Sequence, residues 1–307
     1  MRVARTIQEL VGYTPLLEIT RFGLPEGVRL FAKLEYFNPG GSVKDRLGVA
    51  LIAEAEQNGR LRPGGTIIEP TAGNTGIGVA LAAIGKGYRV IFCVPEKFSR
   101  EKQELMRALG AEVVNTPTTD GIVGAINRAH ELAASIPGSF VPQQFANPAN
   151  PAAHYSSTGP EIWEQLAGQV NVFVAGAGSG GTFTGVARFL KEQNSAVKAC
   201  VVEPTGSVLK GGQPGPHKTE GIGVEYIYPT LDMSLADAIY TVTDADAFAM
   251  VKELAAREGC LVGSSSGAAF WAALQEAQHH GPGTNVVVVF PDSSERYLST
   301  QIYRGGE

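Results

Sequence analysis

The chain has 307 residues, of which 44% are hydrophobic and 18% charged, which is enough for about two domains with a large buried core. Its 25 Lys and Arg residues against 30 Asp and Glu give a net charge of -5, which argues against a nucleic-acid binder with a basic patch. No apolar run approaches the roughly 20 residues of a membrane helix, and the N-terminus lacks the apolar region of a signal peptide. We expect a cytoplasmic protein that binds neither nucleic acid nor a membrane.

Short apolar runs and amphipathic stretches alternate along the chain, with glycines where a run ends. This alternation is typical of an α/β protein whose strands are mostly parallel and covered on both faces. We predict two interleaved α/β lobes with a cleft between them, where ligands bind in open α/β sheets. The predicted strands cover residues 67–70, 88–95, 111–115, 170–175, 197–203 and 285–290. The predicted helices cover the stretch ending near residue 86, then 101–109, 124–134, 183–193, 245–258 and 268–277, with a Gly/Ser-rich turn at 263–267 and a functional loop at 206–223.

The cysteines and histidines lack the spacing of a metal site. Cys93, Cys200 and Cys260 form no CxxC pair, and the histidines form no HExxH motif. Cys93 and Cys200 lie inside apolar runs, so we predict buried, reduced thiols that pack as small hydrophobic side chains. No metal is expected.

A lysine at the start of a predicted helix is the first candidate catalytic group. In the segment Asn38–Arg46, Ser42 and Asp45 have the spacing of a capping box. Lys44 then lies in the first helical turn, where the helix dipole favours the neutral, nucleophilic amine. The alternative is a solvated lysine without a chemical role.

The glycine-rich segment 176–182 joins a predicted strand to a predicted helix. Its backbone N–H groups and the helix N-terminus suit a phosphate group. The segment also satisfies G-x-G-x-x-G, and Glu203 follows about 20 residues later, as in a dinucleotide site. A structural turn, a dinucleotide site and a site for another phosphate ligand all remain open from this segment alone.

Two further segments, Thr71–Gly76 and Gly263–Gly267, lie just before stretches with a helical pattern and are candidate binding loops. The loop Thr71–Gly76 offers N–H groups to a carboxylate or phosphate, although turn chemistry explains it equally well. The segment Gly263–Gly267 is rich in serine, and its alternative interpretation is a helix N-cap.

Together, these motifs resemble in order and spacing the cysteine synthase/cystathionine β-synthase family of pyridoxal-phosphate enzymes, which has the tryptophan synthase β-like fold. The resemblance extends from Gly12-Tyr13-Thr14-Pro15-Leu16 to the segment 291–297. It implies that Lys44 forms the Schiff base with pyridoxal 5'-phosphate, Asn74 bonds the ring oxygen and Ser265 faces the pyridine nitrogen. The positions matching the phosphate cup are Gly178, Ser179, Gly180, Gly181 and Thr182; those matching the substrate-binding site are Thr71, Ala72, Gly73, Thr75, Gln144, Gly221 and Glu225.

The resemblance also implies a reaction and an organisation. An amino acid such as O-acetylserine loses acetate to give an enzyme-bound aminoacrylate, to which a thiol adds, while Lys44 moves the α-proton. A neutral serine at the ring nitrogen makes the ring a weaker electron sink, which favours elimination over transamination. We expect a large cofactor-binding lobe of residues 1–40 and 146–307, a mobile lobe of residues 41–145 that moves on substrate binding, and a homodimer.

Two departures from the family pattern indicate the thiol. Ala72 replaces the usual serine of the substrate loop, and Glu225 stands where sulfide-using members have a small or neutral residue. Both resemble the subgroup that makes cystathionine from O-acetylserine and homocysteine, although Glu225 pointing into solvent is an alternative. The haem segment and regulatory domain of larger cystathionine synthases have no counterpart, so neither form of regulation is expected.

Three alternative functions remain. A cysteine synthase would use sulfide as its main thiol. An NAD-dependent oxidoreductase rests on the glycine segment and Glu203, but leaves Lys44, Asn74 and Ser265 unexplained. A protein that binds the cofactor without catalysis is argued against by the presence of Lys44 and most of the substrate loop.

Overall fold

The computed structural model describes residues 3–71 and 73–304, which form two compact units. The smaller unit joins the residues up to Val11 with Asn38–Ala149, and the larger joins Gly12–Phe37 with the residues from Asn150 onward. The side chain of Gln8 donates to the carbonyl oxygens of Leu81 at 2.9 Å and Ile84 at 3.0 Å. These bonds tie the first residues to the smaller unit, whereas the sequence interpretation placed residues 1–40 in the larger lobe.

The smaller unit is built on a parallel sheet. Within the described residues its strands have the order β5-β4-β3-β6, and all three pairings are parallel. The strands are β3 (Thr66–Pro70), β4 (Arg89–Pro95), β5 (Glu112–Thr116) and β6 (Ser139–Phe140). The helices are α1 (Lys44–Gln57), α2 (Asn74–Ala83), α3 (Arg100–Ala108) and α4 (Gly121–Ser135).

The larger unit contains a sheet of order β1-β2-β10-β7-β8-β9. Only β1 and β2 pair antiparallel among its described strands. The strands are β1 (Leu16–Ile19), β2 (Arg29–Leu34), β7 (Val172–Gly176), β8 (Lys198–Pro204), β9 (Ala238–Val242) and β10 (Asn285–Phe290). The helices are α5 (Ala149–Ala153), α6 (Gly159–Gln165), α7 (Gly181–Gln193), α8 (Asp244–Glu258) and α9 (Ser264–Ala277). Helix α5 starts at the boundary of the two units, and a π-helical segment, His154–Thr158, joins it to α6.

Each sheet is buried on both faces. In β10, Val286 and Val288 belong to one hydrophobic cluster, while Val287 and Val289 belong to the cluster on the opposite face. Successive side chains of a strand point to opposite faces, so a continuous apolar run marks a strand covered on both sides. The predicted α/β class with mostly parallel sheets is confirmed.

The structure corrects the predicted elements at two places. The Gly/Ser-rich segment 263–267 is not a turn, because Gly263 is the N-cap of α9 and the helix begins at Ser264. The strands β1, β2, β6 and β9 and the helices α5 and α6 were not predicted. In β2, Lys33 is fully buried and donates to Glu161 at 2.7 Å, a partner that lies far away in sequence.

The three cysteines are free and buried, as predicted for Cys93 and Cys200. Burial raises the pKa of the Cys93 thiol to about 11 and that of Cys200 to about 12. Within residues 3–71 and 73–304, no group of three His, Cys, Asp or Glu side chains is arranged to hold a metal ion. No described helix is long and apolar enough to cross a membrane.

Candidate active site

Lys44 is the first residue of α1 and is partly buried, so its predicted place in the first helical turn is confirmed. The geometry before it differs from the predicted capping box. Val43 precedes the helix, the Ser42 hydroxyl accepts the N–H of Lys44 at 3.3 Å, and the Asp45 carboxylate accepts the N–H of Gly40 at 2.5 Å. Asp45 thus closes the loop before the helix, because its side chain reaches back five residues.

Helices α1 and α2 cross in direct backbone contact at two glycines. A Cβ atom on Gly78 would overlap the carbonyl group of Lys44, and one on Gly48 would overlap the carbonyl group of Gly78. A backbone carbonyl held in a helix cannot swing aside as a side chain can, so both positions need glycine. The crossing fixes Lys44 relative to the first turn of α2, which carries Asn74 and Thr75.

The predicted carboxylate loop leads into α2. Its N-cap is Gly73, the N–H of Gly73 donates to the hydroxyl of Thr71 at 3.4 Å, and the first turn carries no acidic residue. The Thr75 hydroxyl donates to the Gln144 side-chain oxygen at 2.7 Å, and both side chains are buried. Thr75 and Gln144, 69 residues apart in sequence, are therefore brought together. Ala72 lies outside the described residues.

The buried carboxylate of Glu69 supports Gln144. The sequence interpretation gave Glu69 no role. Glu69 is 1% exposed and accepts the backbone N–H groups of Gln143 at 3.1 Å and Gln144 at 3.3 Å. Gln143 has a φ of 58°, a left-handed conformation that costs energy for a residue other than glycine. Burial raises the pKa of Glu69 to about 7 despite these two bonds.

In the larger unit, the glycine loop between β7 and α7 is closely packed. Gly180, the N-cap of α7, has a φ of 84°, and a Cβ there would overlap Leu231. A Cβ on Gly181 would overlap the side-chain amide of Asn150, which also donates to the Ser179 hydroxyl at 2.9 Å. Asn150 was missed as a supporting residue; the Asn-Pro repeat around it was the available signal.

The N-terminus of α7 is suited to an anion. No described side chain caps the helix, and its first turn contains no acidic residue. The first N–H groups of a helix lack partners within it, and the helix dipole favours negative charge there. The loop and helix start therefore fit a phosphate group.

Gly221 and Ser265 lie next to this loop. A Cβ on Gly178 would overlap the carbonyl oxygen of Gly221, while one on Gly221 would meet only the Ser265 hydroxyl, at 3.8 Å. The N–H of Glu220 donates to the Ser264 hydroxyl at 3.0 Å, which fixes the loop to the start of α9. Gly178, Gly221 and Ser265 are thus brought together, with open space beside Gly221.

Glu225 is exposed on the same loop, four residues beyond Gly221. Nearby, the rings of Tyr226 and Tyr228 pack edge to face with centroids 4.5 Å apart. Burial raises the pKa of the Tyr228 phenol, and electrostatic interactions with the neighbouring Tyr226 and Glu225 raise it further. The Glu225 carboxylate therefore lies near an aromatic pair, within reach of solvent.

Glu203 does not have the role that the dinucleotide hypothesis required. Its carboxylate is buried and accepts the N–H groups of Leu209 at 2.7 Å and Lys210 at 3.2 Å, as well as the Thr241 hydroxyl at 2.9 Å. These bonds explain Glu203 as the anchor of the loop that follows β8. One of the two observations that favoured a dinucleotide, a Glu203 carboxylate available to a ribose, is thereby removed.

Comparison with known proteins gives the family. The sequence profile of the family described as "Pyridoxal-phosphate dependent enzyme" matches residues 7–292, most of the chain. The chain belongs to this family. As a pyridoxal-phosphate dependent enzyme, it has a cofactor whose phosphate suits the start of α7 and whose aldehyde requires an amine such as that of Lys44.

Relatives of this pyridoxal-phosphate enzyme include proteins named cystathionine beta-synthase and proteins named cysteine synthase. It is 58% identical, over 100% of both chains, to the O-acetylserine dependent cystathionine beta-synthase of Bacillus subtilis, and 53% identical, over 99% of this chain and 100% of the relative, to a cysteine synthase of Helicobacter pylori. A crystal structure named O-acetylserine dependent cystathionine beta-synthase from Helicobacter pylori superimposes with a TM-score of 0.93 at 53% identity, covering 99% of this chain and 100% of that one. A cysteine synthase structure from Entamoeba histolytica gives 0.96 at 41% identity, covering 99% and 91%.

Proposed function

We propose that the enzyme replaces the acetate group of O-acetyl-L-serine with a thiol. In this β-replacement the bond between the β-carbon and the ester oxygen breaks and acetate leaves with the electron pair. A carbon–sulfur bond then forms, and the thiol proton is released. The observation that carries the proposal is the position of Lys44, fixed by backbone contact against the helix that begins at the substrate loop. O-acetylserine stands in the names of the Bacillus subtilis relative and of the Helicobacter pylori structure, which supports it as the amino-acid substrate.

The residues present fit the cofactor. Lys44 would hold it covalently, Asn74 would bond its ring oxygen and Ser265 would face its pyridine nitrogen. When bound, pyridoxal phosphate supplies an electron-withdrawing ring that stabilises negative charge at the α-carbon of the amino acid. The residues that would bind the phosphate are Gly178, Ser179, Gly180, Gly181 and Thr182.

The chain's own groups bind the substrate and move its proton. The N–H groups at the start of α2, among them that of Thr75, and the hydroxyl of Thr71 would hold the substrate carboxylate. Gln144, bonded to Thr75 at 2.7 Å, would support that contact. The amine of Lys44, released from the cofactor, would take the α-proton and later return it.

Homocysteine is the thiol that we propose as the preferred acceptor, with sulfide as a competent second. Homocysteine brings an ammonium group, and the exposed carboxylate of Glu225 could pair with it near Gly221. A charge-assisted hydrogen bond of this kind contributes about 1.5–3 kcal/mol, less when exposed to solvent. Cysteine synthase activity is the second candidate, because relatives with that name are 53% identical.

A thiol competition tests both candidates. The holoenzyme is given O-acetylserine with homocysteine and sulfide together, and cystathionine and cysteine are quantified. We expect cystathionine to dominate and Glu225→Gln to lower the homocysteine rate about two- to fivefold relative to the sulfide rate, as for an exposed ion pair. The matched control is Glu26→Gln, at another exposed carboxylate. An unchanged ratio in Glu225→Gln removes the role of Glu225, and cysteine as the main product makes the enzyme a cysteine synthase. Absence of both products contradicts the β-replacement.

The assembly and the cellular location complete the proposal. A homodimer follows from the family resemblance, and sedimentation of the purified holoenzyme measures it. A cytoplasmic location agrees with three free cysteines, since reducing compartments keep thiols unpaired.

A further inference from the structure

A buried histidine lies between two threonine hydroxyls in the larger unit. His154 is 1% exposed; its Nδ1 lies 2.8 Å from the Thr158 hydroxyl oxygen and its Nε2 lies 3.1 Å from that of Thr182. Both ring nitrogens therefore have hydrogen-bond partners, which fixes the plane of the ring. Thr182 is the second residue of α7, at the anion-suited start of that helix.

The backbone around His154 holds it against α7. His154–Thr158 is a π-helical segment, a rare conformation that is frequent at functional sites. It packs on α7 through Gly185, where a Cβ would lie 2.8 Å from both the Cβ of His154 and the backbone nitrogen of Tyr155. Nothing larger than glycine fits at this contact, so the ring keeps its distance from Thr182.

The tautomer of His154 decides where the Thr182 proton points. A neutral imidazole carries one N–H, and a threonine hydroxyl carries one proton. If Nδ1 carries the hydrogen, Nε2 has a free lone pair and must accept the proton of the Thr182 hydroxyl. The Thr182 oxygen then presents only its lone pairs to an anion. If Nε2 carries it, the ring donates to Thr182, the Thr182 proton is left for the anion, and the Thr158 hydroxyl donates to Nδ1.

We propose that His154 is a positioning residue that, as the Nε2–H tautomer, directs the Thr182 hydroxyl proton toward the cofactor phosphate. The proposal rests on the assignment of the phosphate to Gly178–Thr182 in the proposed function. The chain of donors runs from Thr158 through His154 and Thr182 to the phosphate, and each bond in such a chain polarises the next. His154 makes no contact with the reacting atoms in this role.

Cofactor affinity in a double-mutant cycle tests the coupling. Pyridoxal phosphate is titrated into four apoenzymes: the original chain, His154→Leu, Thr182→Val and the double variant. Cofactor absorbance measures the affinity, and the 31P resonance reports the environment of the bound phosphate. We expect His154→Leu to weaken the affinity about tenfold and to move the resonance, as for loss of a charge-assisted hydrogen bond. In the Thr182→Val background, the same change should cause little further loss.

The outcomes separate this proposal from the site assignment. If Thr182→Val alone leaves the cofactor affinity and the 31P resonance unchanged, the phosphate does not contact Thr182. Both the assignment of the phosphate to Gly178–Thr182 and the role of His154 are then wrong. If Thr182→Val weakens binding but His154→Leu weakens it equally in both backgrounds, the histidine has only a structural role and the proposal is overturned. If His154→Leu does not fold, His154→Gln and His154→Asn replace it. Gln carries its amide close to the position of Nε2 and should retain most of the affinity, whereas Asn is too short to do so; equal affinities would overturn the proposal.

Discussion

At the scale of single residues, Glu69 shows how a buried charge supports the site. Its carboxylate binds two consecutive N–H groups and so holds Gln143 in a left-handed conformation and Gln144 against Thr75. Two hydrogen bonds favour the charged carboxylate, but removal from water disfavours it more strongly, and the pKa rises to about 7. Glu69 therefore changes its charge near neutral pH in the folded enzyme.

The raised pKa of Glu69 predicts a pH dependence of stability. The folded state keeps the proton of Glu69 up to a pH of about 7, whereas the unfolded chain loses it near the ordinary value of 4.5. The folded state thus binds more protons in this window, and the free energy of unfolding should fall as the pH rises through it, by about 3 kcal/mol at most. Urea denaturation at a series of pH values measures this slope, and Glu69→Gln should remove it.

Glu112→Gln is the matched control for this measurement. Glu112 is exposed, and its hydrogen bond with Arg89 lowers the pKa of its carboxyl below 4.5, so its titration lies outside the window. An equal slope in Glu69→Gln and in the original chain would show that Glu69 is ionised throughout this pH range.

Contacts such as those of Glu69 and His154 could not be predicted from the sequence. Glu69 and Gln143 are 74 residues apart, and His154 and Thr182 are 28 apart. Local patterns record which residues share a helix face or strand, but not which elements pack together. Lys44 and the glycine loop became candidates because the motifs around them are local, and the family resemblance gave them their predicted roles.

At the scale of elements, the crossing of α1 and α2 is the contact that positions Lys44. Both glycines at the crossing lie inside helices, where glycine is less favourable than alanine by about 1 kcal/mol. The packing therefore outweighs helix propensity at Gly48 and Gly78. An alanine at either site must push the two backbones apart.

Replacement of Gly78 by alanine tests this contact. Helix propensity alone would make Gly78→Ala stabilising, but the overlap with the Lys44 carbonyl should lower the free energy of unfolding by about 2 kcal/mol and reduce turnover. Thermal and urea denaturation measure the first effect and steady-state kinetics the second. Gly281→Ala is the control, because a Cβ there would meet no atom within 4 Å. A Gly78→Ala enzyme as stable and active as the original would refute the close crossing.

The regular strand–helix alternation was predictable because several of its strands are continuous apolar runs and glycines follow closely on the ends of α1, α2, α3 and α8. Helix α3 ends at Ala108, within one residue of the predicted end at 109, and Gly110 beyond it has a φ of 86°. The start of α9 was mistaken for a turn because glycine and three serines are poor helix formers. Strand β2 escaped prediction because its buried Lys33 interrupts the apolar pattern, and its charge is paired with Glu161.

At the scale of the whole molecule, each unit contributes a set of groups with a distinct chemistry. The smaller unit carries Lys44 and the substrate loop, and the larger carries the glycine loop and Ser265. The movement of residues 41–145 on substrate binding stays a prediction. The similarity to relatives of both names extends over the whole chain, so the thiol must be decided by experiment.

The covalent site of the cofactor is the most direct test of the account. The holoenzyme is reduced with borohydride, which fixes the link between lysine and cofactor, and the modified peptide is mapped by mass spectrometry. The account predicts the cofactor on Lys44, and a loss of turnover of at least about a thousandfold in Lys44→Ala, because one residue supplies both the covalent link and the base. Cofactor mapped to any other lysine, or a Lys44→Ala enzyme with near-normal turnover, would contradict it.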